Sequence, residues 1–128
     1  MTDLVPAVTR GVDAVRAHFA GKPVEVVPDG AGGAYVTVHD VEVGSRYLPS
    51  RTFLGFQISA AYDSADVYPH YLGVVTRADG LPHGEGISAT SWRDQPVLQL
   101  SRRSNGWRPG LDNAALKAEK VITWFASR

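Results

Sequence analysis

The chain has 128 residues, balances thirteen Lys and Arg against thirteen Asp and Glu, and contains no cysteine. That length fits one domain over residues 1–128, large enough to bury roughly 65–70% of its unfolded surface without a covalent staple. Zero net charge argues against the broad attraction behind non-specific nucleic-acid binding, and the missing thiol excludes disulfides, thiolate metal sites and cysteine-based covalent catalysis.

The opening "MTDLVPAVTRGVDAVRAHFAG" lacks the basic start and continuous apolar run of a secretory signal, and no later run approaches the ~20 residues of a membrane span. The reading is a soluble, cytoplasmic protein with no membrane partner. Leu4, Val8, Val12, Val15 and Phe19 recur at helical spacing, which predicts an amphipathic helix capped by Thr2 and stopped by Gly21 and Pro23. Two β-branched runs, Val24 to Val27 and Tyr35 to Val43, flank the turn-forming "PDGAGG" and predict a hairpin. A phosphate cradle would need that loop to open a helix, and strand signals stand on both sides instead.

After the polar corner "GSRYLPSR", the run "TFLGFQISAAY" predicts a third strand, with Leu54, Phe56, Ile58 and Ala60 alternating against Phe53, Gly55, Gln57 and Ser59. From Tyr62 to about Pro96, glycine, proline and polar residues dominate, and only "LGVV" and "GISAT" look extended. A long irregular segment of this kind is more often functional than not. A short strand follows from Val97 to about Arg102, and a closing helix carries Leu111, Ala115, Ala118, Ile122 and Phe125 on one face, with Asp112 as its cap. The fold class is α+β, with an antiparallel meander and helices at both ends of the sequence.

Four histidines supply the candidate acid/base or metal chemistry: His18, His39, His70 and His83, none spaced as a helical metal pair. His70 and His83 share the irregular segment, where Asp66 or Glu85 would serve as the carboxylate partner, so a small enzyme using these two rings is the alternative reading. A serine triad of Ser88, His83 and Asp79 can be assembled on paper, without the turn that usually presents such a nucleophile. The cluster "SRRSNGWRPG" places Arg102, Arg103 and Arg108 around Trp107, a composition suited to anion contact; the plainer reading packs Trp107 under the last helix.

The order helix, meander, "YP" corner at Tyr68-Pro69, irregular stretch, and "WRP" at Trp107-Arg108-Pro109 leading into a helix resembles the ubiquitin-conjugating enzyme (E2) family in a divergent bacterial form. The likeness covers Leu4 to Phe125 and implies an E2-like, UBC-like fold. Active members carry His-Pro-Asn after the corner and a thioester-forming cysteine beyond it; here stands "LPHG", Leu81 to Gly84, with no cysteine and the nearest asparagine well downstream at Asn105. A hydroxyl at Ser88 or Ser91 is a far weaker nucleophile than a thiolate. The resemblance therefore implies a non-catalytic variant that binds a ubiquitin-like protein, its activating enzyme or another E2-like subunit. Tyr68, His70, Tyr71, His83, Arg102 and Arg103 are the candidate contact residues, Tyr68, Pro69, Trp107 and Pro109 the structural motif, with no metal and no cofactor.

Overall fold

The computed structural model describes residues 3–104 and 106–128. Its frame is a six-stranded antiparallel sheet with both helices packed on one face, an α+β arrangement. Thr2 and Asn105 lie outside the described residues.

Helix α1, Pro6–His18, starts with Val5 at its cap position and Pro6 in the first turn, where a missing N–H costs nothing. Val8, Val12, Val15 and Phe19 are buried as the spacing predicts. Gly11 is buried as well, because the Tyr62 ring lies where its Cβ would stand, 2.9 Å away. The hairpin forms from β1, Val24–Pro28, and β2, Ala34–Glu42. Asp29 organises its loop: Oδ1 accepts hydrogen bonds from the amides of Ala31 and Gly33, and Oδ2 accepts one from Gln57. The Ala31 amide, then Gln57, hold the Asp29 carboxyl below its ordinary pKa.

Strand β3, Tyr47–Leu48, occupies the polar corner, and β4, Arg51–Ile58, pairs with β2. Leu54, Phe56 and Ile58 are buried, whereas Ala60 falls beyond the strand and is exposed. The meander does not end there. The segment from Tyr62 to Pro96, expected to be mostly irregular, contributes β5, His70–Gly73, β6, Thr76–Arg77, and β7, Ile87–Trp92, then enters β8, Gln95–Leu100. The order β1-β2-β4-β5-β8-β7 makes β5 a central strand, and β3 pairs with β6 apart from the main sheet. The two runs that looked extended, "LGVV" and "GISAT", fall on or beside β5 and β7. What the short apolar runs concealed is that β5 needs few residues when both its neighbours supply ladder partners.

Tyr68-Pro69 accordingly precedes a strand of the sheet and does not close the meander. Helix α2, Ala114–Ala126, is capped by Asn113, whose side chain accepts from the Leu116 amide. Asp112, the expected cap, instead accepts from the Arg108 amide and closes the turn before the helix. Ala115, Ala118, Ile122 and Phe125 are buried, while Leu111 is 66% exposed because it precedes the first turn. Among the described residues, no helix is long and apolar enough to cross a membrane.

The face of the sheet opposite the helices is covered by its own aromatics. Trp92 lies flat over Gly55, and Phe53 covers Gly73, so each glycine is a site where only hydrogen leaves room. Tyr71 stacks on Trp92 with ring centroids 5.0 Å apart.

Candidate functional site

Three elements meet at a polar cluster that the sheet and α2 enclose. Lys117 of α2, 3% exposed, donates to both carboxylate oxygens of Asp66, at 3.2 and 3.0 Å, and to Ser104 Oγ at 2.7 Å. Ser104 in turn donates its amide and its hydroxyl to Asp66, at 2.8 and 3.0 Å. Burial opposes ionisation of Asp66, but the Ser104 amide and the Lys117 ammonium outweigh it and hold the carboxyl below its ordinary pKa. Burial also lowers Lys117, against the pull of Asp66. With all three ammonium protons directed at oxygens, this cluster ties the segment before β5 and the segment after β8 to the last helix.

His70 lies on the helix side of β5, fully buried, its ring 5.1 Å from that of Phe56. Neither ring nitrogen has a hydrogen-bond partner. Burial, then the nearby Lys117 charge, pushes its pKa down to about 3, so the ring is neutral at physiological pH. A side chain so enclosed touches no partner, and the expected contact role of His70 gives way to a place in the core. His83 is held elsewhere: its Nε2 lies 2.8 Å from the Val75 carbonyl, and its ring packs against Tyr47 and Phe125. The two rings thus serve separate contacts, and no cluster of metal-ligating side chains occurs among the described residues.

The paper triad does not assemble. Asp79 is paired with Arg77 at 2.6 Å and accepts from the Leu81 amide, His83 engages a carbonyl, and Ser88 stands exposed on β7. His18 and His39 make surface pairs with Glu119 and Glu25. Trp107 donates its indole N–H to the Asp63 carbonyl at 2.7 Å and packs on Tyr62, whose hydroxyl accepts from the Ala114 amide at the start of α2. The "WRP" segment is therefore a clasp between the turn after β4 and the last helix. Tyr71 belongs to the opposite face of the sheet, stacked on Trp92.

A groove of about 770 Å³ lies between α2 and the segment after β8, lined by Arg102, Arg103, Lys120 and Trp124 and also by Asp112 and Glu119. Arg102 sits over the Trp124 ring at 5.6 Å and Arg103 over the Tyr68 ring at 4.3 Å. Stacking orients each guanidinium without consuming its donors. Neither arginine forms an ion pair among the described residues, and both are exposed. Of the six candidate contact residues, Tyr68, Arg102 and Arg103 are thus brought together, while His70, Tyr71 and His83 are dispersed.

Comparison of the chain with family models, with curated proteins and with solved structures finds no match. Two members of the polar cluster, Lys117 and Ser104, escaped the sequence reading. The signal was present for Lys117: Ala114, Ala118 and Val121 surround it at helical spacing, so a lysine there occupies a core position and calls for a buried carboxylate. Ser104 carries no comparable pattern.

Proposed function

We propose that this chain is a non-catalytic, E2-like protein-binding domain that uses the Arg102–Arg103 groove to hold an acidic surface of its partner, within a bacterial ubiquitin-like modification pathway. The observation that carries the binding part is the pair of exposed guanidiniums, each held over an aromatic ring and each without a carboxylate partner among the described residues. Ordered, desolvated-on-one-side cations of this kind favour bidentate contact with carboxylates. The pathway part rests on the resemblance through Tyr68-Pro69 and Trp107-Arg108-Pro109, and the non-catalytic part on the absence of any cysteine to carry a thioester.

Of the partners the resemblance implies, a ubiquitin-like protein, an activating enzyme or another E2-like subunit, the groove selects one that offers clustered carboxylates. Titration of the isotopically labelled chain with each of the three from the native host tests this. The expected result is amide shifts concentrated at Arg102, Arg103, Lys120 and Trp124, an affinity that falls steeply with salt, and a loss of about tenfold or more in R102E/R103E. Binding that leaves these resonances unmoved would remove the groove from the reading, and failure of all three proteins to bind would remove the pathway.

A further inference from the structure

The groove beside α2 has a neighbour at the end of the helix. A second groove, of about 390 Å³, is lined by Arg46, Arg77, Ala78, Asp79 and Arg128. Two contacts join them. Trp124 lines the first groove and has the guanidiniums of both Arg102 and Arg128 over its ring, at 5.6 and 5.2 Å. Ser127 also lines the first groove, and its carbonyl accepts a hydrogen bond from Arg46 of the second at 3.0 Å. The bridging ring is itself held in place, since it rests on Gly86, where a Cβ would stand 3.2 Å from it.

The charge along this path is one-sided. Among the described residues Arg46, Arg102, Arg103 and Arg128 form no ion pair, and all four are exposed. The exposed carboxylates along the two grooves are already engaged: Asp112 with Arg108 and Lys120, Glu119 with His18, and Asp79 with Arg77. At the far end, burial raises the Tyr47 pKa while the charges of Arg77, Arg128 and Arg46 work against it, so three guanidiniums gather near one hydroxyl. The rings on the path, Tyr68 and Trp124, have guanidiniums over them. Single-stranded nucleic acid gains affinity by stacking bases on open rings. Here guanidiniums take those places, and their outward donors suit carboxylates.

We propose that the two grooves form one track for an extended acidic segment of the partner, running from Arg103 over Trp124 to Arg128 and Arg46. The inference rests on the reading of the Arg102–Arg103 groove as the site of an acidic partner, and adds that the partner's carboxylates lie along a stretch of chain instead of on one compact patch. In an extended chain alternate residues share a side, so it presents a carboxylate about every 7 Å to successive guanidiniums.

Fluorescence anisotropy at low salt tests this with labelled peptides that alternate Glu and Ser, one of about six residues and one of about twelve, with extended lengths of about 20 and about 40 Å. The longer peptide is expected to bind about tenfold or more tightly, because it engages both grooves at once. R46E/R128E should remove that advantage of length. R10E/R93E makes the same change in net charge on α1 and on the sheet face away from the helices, and should keep it. Amide shifts of the unaltered chain with the longer peptide give a measurement independent of how any variant folds, and should reach Arg46, Ala78 and Arg128 as well as Arg102 and Trp124. No advantage of length, shifts confined to the first groove, or equal losses in the two double variants would overturn the track and leave the Arg102–Arg103 groove standing. An oligothymidylate of matched length that binds more tightly than the acidic peptide would overturn the choice of occupant, and failure of both peptides to bind would remove the track and the groove together.

Discussion

At the scale of single residues, His70 is the one whose chemistry most directly couples to stability. Its imidazole is neutral and unpartnered in the folded chain, with a pKa pushed down to about 3 by burial from an ordinary 6.5. The sign follows from proton uptake. Below pH 6.5 the unfolded chain binds a proton that the folded chain refuses, so stability is full above that pH and is lost as pH falls toward 3. Between pH 6.5 and 5 this single ring costs about 2 kcal/mol. H70L removes the titrating group and two orphaned nitrogens at little change in volume; it is expected to match or exceed the parent at pH 7 and to flatten the acid limb of urea midpoints measured against pH. An unchanged limb would mean that the acid sensitivity arises elsewhere. The sequence made His70 visible as a chemically rich residue beside two tyrosines, but its direction into the core depends on β5 lying between β4 and β8, a pairing that no local pattern announces.

At the scale of elements, α2 is docked by a polar tie as well as by its apolar face. Lys117 is almost fully enclosed and Asp66 about a fifth exposed, so removing either partner leaves the other's charge in a poor environment, with unequal penalties. D66A strands an ammonium under the helix and is expected to cost about 3 kcal/mol or more, whereas K117M leaves a carboxylate that still accepts from Ser104 and reaches solvent, and should cost less. D66A/K117M should recover part of the loss, so that a double-mutant cycle by urea denaturation gives a coupling of about 1 kcal/mol or more; additive single effects would deny the tie. Elements with long periodic signals were legible from the sequence: α1, the β1–β2 hairpin, β4 and the apolar side of α2 all lie where their spacing places them. The strands β3 and β6 were not, and β5 showed only through "LGVV", because two to four residues carry too little period and their existence is decided by partners distant in the chain.

At the scale of the whole molecule, chain order and spatial order are interleaved in a way that makes partial folding costly. β5 is held between β4 and β8, and β8 lies between β5 and β7, so the late part of the chain completes a sheet begun by the early part. Both helices then cover one face of that sheet, with Val8, Val15, Leu54, Phe56, Leu100 and Phe125 in a single apolar cluster. The three tryptophans sample this object at different places: Trp92 on the face away from the helices, Trp107 on the clasp before α2, and Trp124 on α2 itself. If the sheet and its helices form one cooperative unit, a chain keeping only Trp92 (W107F/W124F) and a chain keeping the other two (W92F) should each show fluorescence and far-ultraviolet dichroism transitions in urea that coincide within that chain. The W92F chain should also be destabilised by about 1 kcal/mol or more, because the smaller ring leaves Gly55 partly uncovered on a face with no second layer. A fluorescence transition in the Trp92-only chain that precedes the dichroism change would identify β7 and β8 as a hairpin that opens independently, and with it the outer edge of the sheet as the first part of the fold to be lost.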